Sequence, residues 1–485
     1  MRKRFTTELT LGQTLIKDIK IDPKSKNALD HLVVALKELY CNPEYNEKIF
    51  SIIEKYLSKA DRNNGRPGMN LWTIFVLAQV RLCLNYSYCM LHNSANNHLL
   101  LRQLLGIDFV FNEEPYVFEY QNIYDNVSKL SDEMLKEIND VIVEFGHKEV
   151  FKKKESTALH LKTDSFVLES NVHFPTDYNL LWDCMRKSID TVEKFIIKYP
   201  YLRFGWRKIK SWRFDIKNSM REVGKISKSS GKNKEKRLHD ATKLYLKKIK
   251  LLLEKINKEK ENFPLSDTVD VAIIIELERY ISLAIKHIDL VERRILKGET
   301  IPQAEKMMSI FETYTEWVAK GKSRPPVELG KMVSITSDQY DLILYHIIMD
   351  KEQDRDIVIK IADKMLSKYK KIDSHSFDKG HWSAENRDLL ALEIAHVILP
   401  KLGKLNAKEK ELESSKIFKR LKNKHSAVES NINELEHRGL DRCPDRGYHH
   451  FKAYVALGVC AYNLKKIGKK ILENQLKELL SVKAA

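Results

Sequence analysis

The chain has 485 residues, 43% of them apolar and 31% charged, enough apolar material for a sizeable core and, on length alone, about three domains or one large interrupted one. With 17 Gly and 12 Pro it is poor in both, which disfavours collagen-like, linker-rich and turn-dense all-β classes. Lys and Arg number 84 against 67 Asp and Glu, a net charge of +17, and such a surplus points to a polyanionic partner, most simply nucleic acid.

The N-terminal MRKRFTTELTLGQTL is basic but has no apolar h-region, so no signal peptide is expected. Residues 27–60 read as two helices: Leu32, Val33, Leu36, Leu39 and Tyr40 have helical spacing, and Asn42-Pro43 reads as an N-cap with proline at the first helical position. NNGRPG at 63–68 is a breaker. Helices are expected at 70–86, 90–105 and 131–150, so residues 1–155 read as a helical domain. The apolar run LWTIFVLAQVRLCL is interrupted by Gln79 and Arg81 and is too short and polar to span a bilayer. None of the six cysteines forms a C-x-x-C pair, so reduced, packed thiols and a cytoplasmic compartment are expected.

At 156–168 the run TALHLKTDSFVLES alternates as a strand does. Pro175 ends it, and a helix begins near Asp177. Residues 190–325 read as a helical insertion. Its stretch 203–260 holds 20 Lys/Arg and 6 Asp/Glu, a surplus of 14 out of the chain's 17. A long amphipathic helix over 269–297 stops at Gly298. Residues 331–349 read as a hairpin, followed by a helix at 354–370, a short strand DSHSFDKG, a helix capped by Ser383, a strand AHVILPK, a helix closed by Gly439 and a last helix from near Tyr448. Strands confined to 158–172 and 331–401 suit a mixed α/β core split into 156–189 and 326–485; an all-helical chain is the competing fold.

Three acids sit at special points of this pattern: Asp164 in the first strand, Asp378 at the end of a short strand, and Glu429 on the helix after the last strand. If the two strands are neighbours, Asp164 and Asp378 enter one cleft, and a helix packed on the sheet can bring Glu429 there. Phosphodiester cleavage needs an activated water and a stabilised leaving oxygen. Two hard cations about 3.5–4 Å apart, held by carboxylates, supply both, and oxygen ligands favour Mg2+ or Mn2+. A chain with 67 carboxylates offers many such triplets, nearly all solvated.

The words around these acids narrow the reading. TDSFVLESNVHFPTDYNLLWD, GKSRPPVELGKMVSITSDQYDLIL, FDKGHWSAEN and AVESNINELEHRGLDRCPDRGYHHFKAYVALGVCAYNL together resemble the DDE transposases of bacterial insertion sequences. The stretch GRPGMNLWTIFVLAQVRLCLNYSYCMLHNSANNHLLLRQLLGI resembles the helical N-terminal region of the same group, and the likeness runs in order from about residue 63 to 466. It implies an RNase H-like catalytic core, mostly helical overall with its insertion and N-terminal helices. It also implies a two-metal mechanism with Asp164 (TDS), Asp378 (FDKGHWS) and Glu429 (AVES) as catalytic residues and metal ligands. Further implications are cleavage at the terminal inverted repeats, strand transfer into target DNA, a homodimer or higher assembly on DNA, and a place in the bacterial cytoplasm at the nucleoid. Some relatives surround the Glu with Tyr, Arg and Lys; here His425 and Glu436 occupy two of those places, leaving Arg438 or Arg442 to supply the positive charge, with ordinary surface roles as the alternative.

DNA contacts follow from charge and aromaticity. In YLRFGWRKIKSWRF, Trp206 and Trp212 alternate with Arg207, Lys208 and Arg213. Aromatics can stack on unpaired bases while cations neutralise phosphates; an amphipathic helix with its aromatics in the core explains the same pattern. Lys322 and Arg324 in GKSRPP, Lys419, Arg420, Lys422, Lys424 and His425 before Glu429, and Arg438 are the other expected phosphate contacts. A non-catalytic DNA-binding protein derived from a transposase is the alternative function. A helical scaffold is a third, which leaves the charge of 203–260 without a purpose.

Overall fold

The computed structural model describes residues 2–5, 13–57, 68–108, 116–319 and 326–484. The chain divides into two compact units, the first made of residues 1–171 and 316–485 and the second of residues 172–315.

The first unit opens with helices α1 (Ala28–Cys41), α2 (Pro43–Leu57), α3 (Leu71–Cys83), α4 (Tyr88–Asn97), α5 (Leu99–Leu104), α6 (Tyr120–Val127) and α7 (Asp132–Phe145). Local chemistry sets their ends. Asn42 Oδ1 accepts from the Glu44 N–H at 3.1 Å, so Pro43 starts α2 where a missing N–H costs nothing. These helices do not stand as a separate domain. α1, α3 and α7 pack on the last helix, α16 (Tyr448–Ala484), whose Asn463 amide donates to the Ile343 carbonyl of the sheet at 2.8 Å. At the α1–α16 crossing an added Cβ on Gly468 would lie 1.7 Å from the His31 carbonyl oxygen, so the two backbones touch.

The sheet of this unit comprises β1 (Leu159–Ser170), β2 (Glu316–Ala319), β3 (Val327–Ser337), β4 (Ile343–Ile348), β5 (Ile372–Phe377), β6 (His396–Ile398) and β7 (Arg442–Cys443). Its order is β2-β3-β1-β5-β6, with β4 also on β3 and β7 also on β1. β1 runs antiparallel to β3 and parallel to β5 and β7. The expected hairpin is β3–β4. Glu169 of β1 and Glu316 of β2 both pair with Gly330, so the chain leaves the sheet and re-enters it on either side of that glycine. A Cβ there would meet the Leu168 carbonyl oxygen at 2.0 Å. Helices α12 (Val358–Lys368), α13 (Ala384–Glu393), α14 (Ala407–Ser414) and α15 (Lys416–Leu435) complete the unit. Ser383 caps α13 as its position suggests, accepting from the Asn386 N–H at 3.0 Å.

The second unit is a helical bundle of α8 (Asp177–Lys198), α9 (Ile209–Ser227), α10 (Lys234–Lys260) and α11 (Thr268–Val291). Its core includes Met185, Phe195, Tyr245, Ile249, Leu277 and Ile281. Here the boundaries differ from the sequence reading. Residues 177–189, assigned there to the catalytic core, are the first part of α8, which buries its apolar stripe against α11 and α9. At the far end, Glu316–Ala319, assigned to the insertion, is a strand of the sheet. The described residues are thus mostly helical, with one mixed sheet in the first unit. No helix among the described residues is long and apolar enough to cross a membrane.

Candidate active site

Strand register brings the first two acids together. Thr163 of β1 pairs with Phe377, the last residue of β5, so Asp164 and Asp378 are the next residues on two adjacent parallel chains, about 4.8 Å apart in backbone spacing. β1 continues beyond this point until β7 joins it at Glu169, and Asp164–Leu168 lie between the two ladders.

The third acid arrives by helix periodicity. Side chains alternate across a strand, so Lys162 and Asp164 share a face with Ser376 and Asp378. α15 packs on β1, β5 and β6. His425 is buried beneath it, with Nδ1 3.0 Å from the Ser376 hydroxyl. Glu429, one turn further along the same helix, is exposed and close enough to Asp164 for its charge to act on that carboxyl.

A fourth carboxylate comes from the other face. Asp354 lies in the turn Asp354–Asp356 ahead of α12, and its Oδ1 accepts from the Ser165 hydroxyl at 2.6 Å. Its Oδ2 lies 3.1 Å from where a Cβ on Gly380 would be, so a side chain there would crowd the Asp354 carboxylate. The Asn386 amide clamps the two turns, donating to the Arg355 carbonyl at 2.8 Å and the His381 carbonyl at 3.3 Å. The sequence reading did not single out Asp354. It sits in DKEQDRD, where nearly every residue is charged, and only its contact with Ser165 distinguishes it.

Electrostatics register the convergence. Asp164 accepts from the Ser165 backbone N–H at 2.8 Å, yet its carboxyl is pushed up to about 7, first by burial and then by the like charges of Asp378, Asp354 and Glu429. Neutral imidazoles are buried on both faces of β5, His375 on the Thr163 side and His425 on the Ser376 side. Burial drives His375 down to about 3, with His381 and His425 adding to the effect, and His425 falls to about 4 for the same main reason. His375 Nε2 is 2.7 Å from the Thr163 hydroxyl.

The donors gathered here are carboxylate oxygens, which suit hard divalent cations such as Mg2+ or Mn2+. Among the described residues no three acid, His or Cys side chains already stand close enough together to hold a metal ion.

The expected DNA contacts divide. Lys419, Arg420, Lys422 and Lys424 are exposed on α15 ahead of Glu429. His425, expected at the surface, is instead buried on the sheet-facing side of the same helix. Arg438 is tied to the Cys83 carbonyl at 3.0 Å, and Arg442 to Asn171 at 3.2 Å. In the second unit Trp206 is 4% exposed, so it cannot stack on a base; its ring is core, with Lys255 above it at 4.8 Å. Trp212 packs partly against the same core. Arg213 is engaged with Asp190 and Glu193 at 2.7 and 2.6 Å, whereas Arg207 and Lys208 are exposed. The aromatics left open there are Tyr201, Phe204 and Phe214, 60%, 75% and 64% exposed. Lys322 and Arg324 lie outside the described residues.

No protein-family model, curated protein or solved structure matches the chain.

Proposed function

We propose that the protein is a metal-dependent phosphodiester transferase, a DDE transposase with an RNase H-like core that cleaves DNA at the ends of an insertion sequence and joins them to target DNA. The observation that carries this reading is the register Thr163–Phe377, which sets Asp164 beside Asp378 at the end of a parallel pair, with Glu429 a turn beyond His425 over the same end. The sheet order, the parallel β1–β5 pair and the antiparallel β1–β3 pair support the core assignment, and the basic exposed face of α15 supports a nucleic-acid substrate.

In this mechanism Asp164, Asp378 and Glu429 would hold two Mg2+ or Mn2+ ions, which supply an activated water and a stabilised leaving oxygen when bound. The chain's own residues do the rest. Asp164 must give up its proton to serve as a ligand, and its closeness to three other carboxylates makes it respond to added positive charge. Asp354 holds the Ser165 hydroxyl and with it the β1 backbone beside Asp164. Lys419, Arg420, Lys422 and Lys424 meet phosphates on the approach to Glu429.

The test is incubation of the purified chain with duplex DNA bearing the inverted repeats that flank its coding sequence. Nicking at the repeat ends is expected with Mg2+ or Mn2+ and none with EDTA; binding without nicking in either metal would favour the non-catalytic alternative. Asp354→Asn is expected to lower cleavage by about ten- to a hundredfold, the scale for loss of a group that orients a metal ligand. It should also raise the Mg2+ concentration needed for half-maximal rate; an unchanged Mg2+ requirement would remove Asp354 from this role.

A further inference from the structure

The outward face of α9 in the helical bundle is made almost wholly of cations. The buried positions of this helix are Ile216, Ser219, Val223 and Ile226. At about 100° per residue, Lys210, Phe214, Lys217, Arg221 and Lys225 fall within an arc of roughly 80° on the opposite side, and all are exposed. The acids of the helix, Asp215 and Glu222, lie roughly 100° around the axis from the middle of that arc. Its remaining cation, Arg213, is turned to Asp190 and Glu193 of α8. Lys210, Lys217, Arg221 and Lys225 have no carboxylate within ion-pair reach among the described residues.

Two observations separate this stripe from an ordinary solvated face. Lys217, Arg221 and Lys225 follow one another four residues apart, a like-charge spacing that disfavours a helix and that a polyanion relieves. Phe214 stands among them 64% exposed, its ring bare to water. Tyr201 and Phe204 are also exposed, in the turn Pro200–Phe204 ahead of α9, with the Arg207 guanidinium 5.0 Å above the Phe204 ring. The four cations span about 22 Å along the helix axis, enough to meet several phosphates of one strand. A membrane is the other extended polyanion, but a helix that lies on one sinks a broad apolar face into it, and the apolar face of α9 is taken up by the bundle core. Duplex DNA would engage the cations and leave the ring idle. Unpaired bases present faces on which an aromatic can stack.

We propose that the outward face of α9 binds an unpaired stretch of DNA, with Lys210, Lys217, Arg221 and Lys225 on its phosphates and Phe214 stacked on a base. The assignment rests on the nucleic-acid substrate of the reading above, and binding measured in EDTA tests it apart from the chemistry of the carboxylates. With the full chain and a labelled single-stranded oligonucleotide, Phe214→Ala is expected to weaken binding about tenfold, the scale for losing one stacked base. The slope of log Kd against log salt should not change. A duplex of the same sequence should bind this variant within about twofold of the unmodified chain, because its phosphate contacts remain. Lys217→Gln with Arg221→Gln is expected to lower the single-strand slope by about 1.4, about 0.7 for each phosphate no longer neutralised. These three side chains are exposed, so the bundle should keep its fold, which circular dichroism checks. Lys364→Gln with Lys370→Gln, an equal change in net charge on exposed residues of the first unit, should leave the slope unchanged. Equal effects of the two double variants, or equal affinity of Phe214→Ala and the unmodified chain for the single strand, would overturn the surface while leaving the carboxylate reading in place. Absence of any DNA binding by the unmodified chain at about 50 mM salt would overturn both. Binding to vesicles of anionic lipid that Phe214→Ala abolishes, with DNA affinity intact, would reassign the face to a membrane surface.

Discussion

Asp164→Asn is expected to reduce metal-dependent strand cleavage about a thousandfold or more, the scale on which losing a group that stabilises transition-state charge lowers a rate. The substitution keeps size and shape, and the Ser165 N–H still finds an oxygen, so the sheet should form. What disappears is the negative charge at the centre of four acids. DNA affinity should hold or rise, since one repulsive charge has gone, and this separates a chemical defect from a binding defect. Full cleavage by the variant would remove Asp164 from the chemistry. A pH measurement on the metal-free protein checks the same group independently. The carboxyl titrates near 7 in the folded chain and near about 3.9 when unfolded. The folded state therefore holds this proton more tightly, and the contribution is fully present below about 4 and lost as pH rises to about 7. In EDTA, the melting-temperature difference between Asp164→Asn and the wild type should accordingly widen in the variant's favour from pH 4 to 7 and level off above.

Gly468→Ala should destabilise the first unit by about 3 kcal/mol, the upper part of the range for overpacking a close-packed interior. A methyl group 1.7 Å from a helix carbonyl oxygen cannot be relieved by a rotamer change, so α1 and α16 must separate. The movement would reach the sheet, because Asn463 of α16 both accepts from the Ile343 N–H and donates to its carbonyl, each at 2.8 Å. Urea unfolding followed by circular dichroism measures this. Gly205→Ala, where the nearest atom is Glu259 Oε2 at 3.5 Å, is the control and should stay within about 0.5–1 kcal/mol. Equal stability of the two variants would contradict the close helix crossing.

Sequence reasoning reached furthest where local chemistry decides structure. Asn42-Pro43, Ser383 and Gly298 mark helix ends by the groups they offer or lack, and the alternation in 331–349 marks a hairpin. It reached less far where tertiary packing decides. The three-residue β6 and four-residue β2 are too short for periodicity, and β2 is a strand because β3 pairs with it. Trp206 and His425 sit among basic residues in the sequence, and which side of a helix each occupies depends on what the helix packs against. The proximity of Asp164 to Asp378 rests on a ladder joining segments separated by the whole insertion. Nothing near Asp354 in the sequence announces its contact with Ser165.

That interruption of the sheet bears on how the molecule is made. β1 is synthesised long before β3, β5 and α15, the elements that flank it. The helices of residues 172–315 form a compact unit of their own, and such units can fold on the ribosome in the meantime. Until the later strands emerge, β1 presents both of its edges, the condition under which chains pair with one another and aggregate. A nascent chain halted before Val327 would carry a complete helical bundle and a β1 still without its neighbours β3 and β5, and its yield would depend on how quickly translation delivers them.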